Sequence, residues 1–260
     1  MYEAFAYVYD LFMESVPYEK WGEQIHNILI DNQIENGLVL DLGCGTGIMT
    51  RIFRDYGYDM IGVDNSDDML MVAREAEYDE IEDEVAEKSE ILYLCQDMRD
   101  IQLYGTVRSV ISVCDCLNYI TDIETLTGVF SLVANYLDAG GLFIWDMNTP
   151  YKYSNIPDTI AENQETAAFI WNNDYDENTH LNTYEVNLFI KDEEEDFFNR
   201  ETEIHVQRAY TLEEVKGALD VAGMELVKII DCDTGDDITE TTARWLFVAR
   251  ELPREGKLYV

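Results

Sequence analysis

Apolar residues at three- and four-residue spacing open the chain. Phe5, Val8, Tyr9 and Phe12 share one face of a predicted helix, and Pro17 breaks it. A second predicted helix spans 18–30, with Trp21, Ile25, Ile28 and Leu29 on one side. The period then changes. "GLVLDLG" (37–43) is almost wholly apolar, as a strand buried on both sheet faces should be. "IMTRIFRDYG" predicts a helix closed by Gly57, and "DMIGVD" (59–64) a second buried strand ending on an acid. Ser66 predicts an N-cap, with Asp67 and Asp68 in the first turn of a helix reaching Ala76 or beyond. The acidic run 75–90 predicts the solvated end of that helix and its connection. "ILYLCQD" (91–97), "SVISVCD" (109–115) and "GLFIWDMN" (141–148) predict strands three to five. Before the last of these, "IETLTGVFSLVANYLDAGG" predicts a helix ended by two glycines.

Beyond residue 150 the rhythm is different. "TAAFIWNNDYD", "HLNTYEVNLFIKD" and "FNRETEIHVQRAY" are rich in β-branched and aromatic residues, with "YDENTH" and "DEEEDF" as hairpin turns. They predict an antiparallel sheet of about three strands. From Thr211, a predicted cap, the alternation of helix and strand resumes through "LEEVKGALDVAG", "ELVKIIDC" and "ARWLFVARE". The fold class is therefore α/β: a doubly wound, mostly parallel seven-stranded sheet with a small antiparallel β-sheet inserted. Three parts are expected: a helical cap (1–36), a core (37–150 and 209–260), and the antiparallel insertion (151–208) over the active site.

Charge narrows the classes of partner. Against 54 acidic residues stand 17 basic ones, a net charge of −37, and the basic residues are scattered singly. Such a surface repels phosphate backbones and disfavours nucleic acid. The five cysteines are odd in number and mostly lie in apolar runs, as reduced thiols do. Cys114-x-Cys116 has neither the spacing nor the His partner of a zinc site, and no metal is expected. "MYEAFAYVYDLFMESV" lacks the basic start and apolar stretch of a signal segment, and no apolar run approaches a membrane span. A cytoplasmic protein without membrane contact, monomeric or homodimeric, is expected.

The candidate chemistry starts at Gly43-Cys44-Gly45-Thr46-Gly47. This G-x-G-x-G turn joins a buried strand to a helix, with Asp64 closing the next strand. An acid at that place accepts hydrogen bonds from the ribose hydroxyls of an adenosine. No Lys-Ser/Thr follows the glycines, so a nucleoside-triphosphate loop is excluded. Asp97, after strand three, stands where an acid accepts from an adenine amino group. "CDCLNYI" lies at the strand-four edge, where such folds place ligands.

Together "VLDLGCGTG", "IGVDNSDDML", "CQDM" and "CDCLNYI" resemble the class I S-adenosylmethionine-dependent methyltransferases, with their Rossmann-like core, over residues 37–148. The insertion and the opening "YEAFAYVYDLF" resemble a bacterial small-molecule subgroup. The resemblance implies S-adenosyl-L-methionine as cofactor and S-adenosyl-L-homocysteine as product. It implies that the backbone of Gly43, Cys44 and Gly45 meets the methionine part, with Asp41 near its ammonium. Asp64 would hold the ribose, Asn65 and Met69 flank the adenine, Asp97 and Met98 hold its edge, and Cys114 lies beside the sulfonium. A cofactor of net charge +1 suits an acid-lined mouth better than an anionic pyrophosphate does.

Methyl transfer needs alignment, exclusion of water and sometimes removal of a proton, so no fixed triad marks it. Catalytic candidates are Asp115, Asn118 and Tyr119 at the strand-four edge, and His205. Alternation puts His205 and Gln207 on one face of their strand, with Val206 and Arg208 on the other. Asn148, Trp171, Tyr175, Gln207 and Arg208 are candidates for binding a small-molecule methyl acceptor at N or O. Tyr9 and Trp21 are candidates for closing over the cofactor. The alternatives are an NAD(P)-dependent oxidoreductase and a cofactor-binding module without turnover.

Overall fold

The computed structural model describes residues 3–83, 89–192, 197–254, 256, 257 and 259. The middle of the acidic connection (84–88), the tip of the second predicted hairpin (193–196) and the side chain of Phe5 lie outside the described residues.

Two helices, α1 (Glu3–Phe12) and α2 (Tyr18–Asp31), precede the core. The core alternates β1 (Leu38–Leu42), α3 (Ile48–Asp55), β2 (Asp59–Asp64), α4 (Asp67–Asp83), β3 (Leu92–Cys95), β4 (Val107–Ser112), α5 (Ile123–Tyr136) and β5 (Leu137–Asn148). After α6 (Pro150–Asn155) come β6 (Thr159–Asn163), β7 (Ala167–Asp176), β8 (Leu181–Lys191) and β9 (Phe198–Arg208). The chain returns to the core through α7 (Leu212–Ala222), β10 (Met224–Asp231) and β11 (Arg244–Glu251). The seven-stranded sheet has the order β10-β11-β5-β4-β1-β2-β3, and β6-β7-β8-β9 form a second, antiparallel sheet. In the large sheet β1 to β5 run parallel, while β11 pairs antiparallel with both neighbours.

Period two sorts the strand side chains into two layers. Leu40 and Leu42 of β1 join a cluster with Val129 and Phe130 of α5 and Leu219 of α7. Val39 points the other way, to Ile25 of α2, Phe53 of α3 and Leu70 of α4. Covered on both faces, β1 and β5 are buried nearly throughout, which explains their largely apolar runs. Trp145 stacks on Phe143 at 4.3 Å and on Phe247 at 4.8 Å. Each such fully buried large apolar side chain contributes about 1.5–3 kcal/mol. A third cluster ties Val8 of α1 to Phe169, Val186 and Leu188 of the second sheet. No described helix is long and apolar enough to cross a membrane.

The predicted caps form where expected. Ser66 accepts from the Met69 N–H, and Thr211 makes a reciprocal capping box with Glu214. Two elements differ from the sequence reading. α5 does not end at the paired glycines: Leu137 is already extended, fully buried and paired with Val107, so β5 begins four residues earlier than predicted. Gly141 lies inside that strand, where a Cβ would stand 2.9 Å from the Arg108 carbonyl. The second sheet has four strands rather than three. Its extra strand, β6, is short and more polar, an edge strand whose pattern carries little signal.

Candidate active site

The carboxyl ends of β1 to β5 open into a cavity of about 340 Å³, at the point where strand order reverses between β1 and its neighbours β2 and β4. One end is made by the glycine turn. Gly43, Gly45 and Gly47 all have positive φ (80°, 53° and 76°). A Cβ on Gly43 would stand 2.8 Å from the Cys116 sulfur, so backbone geometry and space both demand glycine there. The Gly43 and Cys44 N–H groups donate to the Val63 carbonyl, at 2.7 and 3.0 Å. Gly45 N–H donates to Asp64 Oδ2, and Ser66 N–H to Asp64 Oδ1, both at 2.9 Å. The Asp64 carboxylate thus pins the turn to the end of β2 and keeps lone pairs for a ligand.

Acids surround this end. Burial pushes the Asp41 carboxyl up to about 7, against a hydrogen bond from Thr50 (2.6 Å) that favours ionisation. Burial also raises Asp64 and Asp10, and Asp10 accepts from the Thr46 hydroxyl at 2.6 Å. That last bond fastens α1 to the glycine turn. Tyr9 and Trp21 both line the cavity.

The other end is held by side chains. Cys114 and Asp115 both adopt left-handed backbone (φ 66° and 51°), a conformation costing of order 1–3 kcal/mol per non-glycine residue. Asp115 N–H donates to both oxygens of Asp146 at 3.2 Å. Arg244 bridges the two acids, 2.8 Å from Asp115 Oδ1 and in contact with Asp146, its guanidinium 5.1 Å from the Trp21 ring centre. Arg244 holds Asp115 below the usual carboxylate range against burial, whereas burial and the Asp115 charge hold Asp146 above it. Gln207 Nε2 donates to Asp115 Oδ2 at 2.7 Å, and Tyr153 donates to Gln207 Oε1 at 2.7 Å. On β9, His205 Nδ1 is 3.2 Å from the Tyr119 hydroxyl, and its Nε2 is 3.2 Å from Glu203 Oε2. Trp171 meets the face of Tyr184 edge-on at 4.7 Å.

The cavity gathers most of the residues singled out in the sequence. Asp41, Gly43, Cys44, Gly45, Asp64, Asn65, Met69, Met98 and Cys114 line one end; Asp115, Tyr119, Asn148, Trp171, His205 and Gln207 line the other. Burial lifts the Cys114 thiol to about 12, so it stays protonated at neutral pH. Four expected residues stand elsewhere. Asp97 does not line the cavity; its carboxylate is taken by the backbone and guanidinium of Arg99, which holds it below the usual range, and Gln96 lines the wall instead. Asn118 is fully buried: it donates to the Asn148 and Arg208 carbonyls and accepts from Asn148 N–H, fastening the strand ends rather than meeting a ligand. Tyr175 stacks on Tyr153 and bonds to His180. Arg208, on the opposite face from Gln207, pairs with Glu214 at 2.7 Å.

Sequence reasoning missed Arg244, Lys152 and Glu203. Arg244 reaches Asp115 across 129 positions, a pairing that no local pattern announces. Glu203 had a signal: it precedes His205 by two in a strand, and so shares its face.

Residues 39–141 match a methyltransferase domain family. A protein of Bacillus subtilis (strain 168) with the provisional name methyltransferase YqeM is 29% identical over 254 residues, covering 96% of this chain and 97% of its own. The dTDP-3-amino-3,4,6-trideoxy-alpha-D-glucopyranose N,N-dimethyltransferase of Streptomyces venezuelae is 27% identical over 65% of this chain and 66% of its own. Among solved structures, an S-adenosylmethionine-dependent methyltransferase from Clostridium acetobutylicum superposes with a TM-score of 0.84 at 26% identity, covering 97% of this chain and 99% of that one.

Proposed function

This chain belongs to the class I S-adenosylmethionine-dependent methyltransferases, and from that premise we propose that it methylates a nitrogen or oxygen of a small molecule whose proton leaves through Tyr119 and His205. The residues present fit the cofactor. Open space surrounds a left-handed Gly45, Asp64 ends β2 beside it, and Asp41 is a buried acid suited to an ammonium. When bound, S-adenosylmethionine supplies an electrophilic methyl on a sulfonium and departs as a neutral thioether. The oxidoreductase alternative falls with the family.

The observation that carries the reading is that Tyr119 and His205 line the cavity in contact with each other, with the buried Glu203 carboxylate 3.2 Å behind His205 Nε2. A carboxylate beside Nε2 favours the imidazole proton there, which leaves Nδ1 to accept from the Tyr119 hydroxyl. The Tyr119 oxygen then has lone pairs for the N–H or O–H of an acceptor. As the acceptor loses its proton to Tyr119, Tyr119 passes its own to His205, and Glu203 balances the imidazolium. The name of the Streptomyces venezuelae relative, an N,N-dimethyltransferase of an amino sugar, supports nitrogen. Tyr119→Phe and His205→Ala are expected to bind S-adenosylhomocysteine like the parent while losing 10²–10⁴-fold in turnover on an amine or alcohol panel, the range of general acid–base catalysis. Unchanged turnover in both variants overturns the proposed proton route.

A further inference from the structure

Helix α6 follows β5 directly; Thr149 caps it by accepting from Lys152 N–H at 3.1 Å. Lys152 lines the acceptor end of the cavity, and its ammonium donates to Asn148 Oδ1 at 2.8 Å. That partner is neutral. Among the described residues no carboxylate stands at ion-pair distance from Lys152. Of the acids whose charges act on it, Asp115 is taken by Arg244 and Gln207 and Asp146 by Arg244 and the Asp115 backbone, while the third, Asp233, lies beyond ion-pair distance. In a chain with 54 acids and 17 bases, a partly buried cation without a carboxylate partner is a marked exception. Burial and the Arg244 charge beside it push this ammonium below the usual lysine range, a cost that a bound anion removes.

A second unfilled donor belongs to another residue of the same cavity. Trp171 lines it, and its indole Nε1 is buried without a hydrogen-bond partner. An unfilled buried donor is unfavourable, so a ligand oxygen there is favoured. We propose that the methyl acceptor carries a carboxylate, bound by Lys152 and the Trp171 indole N–H, with its aromatic or aliphatic body against Tyr184 and its nucleophile at Tyr119. This rests on the methyltransferase reading and names its substrate class: an amino or hydroxy acid. A cavity of 340 Å³ is small for such sites, and it also houses the cofactor. A compact carboxylate fits that space better than a sugar nucleotide does.

The test uses the full chain saturated with S-adenosylhomocysteine, the four indole N–H signals being read by ¹⁵N correlation spectra and Trp171 assigned by Trp171→Phe. Benzoate is expected to shift the Trp171 signal and benzamide to leave it in place. Lys152→Met is expected to weaken benzoate binding at least tenfold and Lys152→Arg to retain most of it, both keeping the parent affinity for S-adenosylhomocysteine. A Trp171 signal that ignores benzoate, or answers benzamide equally, overturns the carboxylate site. So does unchanged benzoate binding in Lys152→Met. Loss of the methyltransferase reading has its own signature, since calorimetry would then find no S-adenosylhomocysteine binding in the parent chain.

Discussion

The two ends of the cavity are assembled by different means. The glycine turn is held by its backbone, with Gly43, Cys44 and Gly45 tied to Val63 and Asp64 by main-chain N–H groups. At the other end the wall is side chain, and Asp115, Asp146, Gln207 and Arg244 meet from four separate strands or strand ends. Backbone geometry tolerates few residue types, so the first end announces itself as a glycine pattern. A side-chain cluster can be built from many combinations, and here long-range pairing specifies it. The first end suits a ligand shared by many enzymes, the second a ligand particular to one.

Variants can break the two ends separately. The largest effect is expected from Arg244→Leu, which leaves Asp115 and Asp146 buried side by side without their cation. Loss of one partner of a buried ion pair costs about 3–5 kcal/mol. Denaturant unfolding is expected to show this; a loss below about 1 kcal/mol would mean that the cluster does not hold that end of the cavity. Asp64→Ala strikes the other end and is expected to weaken S-adenosylmethionine binding by about 1.5–3 kcal/mol in calorimetry. Unchanged affinity would disprove the placement of the ribose at the end of β2.

A pH series sharpens the contrast, because Asp41 titrates near 7 in the free protein. A cofactor ammonium favours the ionised carboxylate, so binding releases a proton below that pH. Affinity is expected to fall about tenfold from pH 8 to pH 6, and Asp41→Asn to flatten the dependence. Proton release is checked by calorimetry in buffers of different ionisation enthalpy. For the unliganded fold the sign is opposite. The folded Asp41 holds its proton more tightly than the unfolded chain does, so its contribution to stability is fully present at low pH and is lost as pH rises through about 7. Last, Thr211→Ala removes a helix cap remote from both ends. It is expected to cost about 1 kcal/mol of stability and nothing in cofactor affinity.

How much was legible in the sequence follows the same divide. The inner strands β11, β5, β4, β1 and β2 and the glycine turn were readable because burial on both faces writes largely apolar runs and left-handed turns write glycine. Asp97 misled because an acid after β3 also serves as the cap of a short turn, and Arg99, two residues on, claims its charge. Asn118 misled because a buried amide that satisfies three backbone groups looks, in sequence, like an amide waiting for a ligand. Lys152 and Arg244 were invisible as site residues, since only the folded register of β5 and β11, with Arg244 opposite Asn148, brings them to one wall.

The left-handed pair Cys114–Asp115 has a consequence for the order in which the molecule is completed. Asp146 accepts from the Asp115 N–H and Arg244 pairs with the Asp115 carboxylate, and Arg244 comes 129 residues later in the chain than Asp115. During synthesis the glycine turn and its strands emerge long before that arginine. Until then that end of the cavity lacks the cation that joins its two acids. The cluster of Asp115, Asp146 and Arg244 is therefore closed only by β11, well after the glycine turn and its strands have been made.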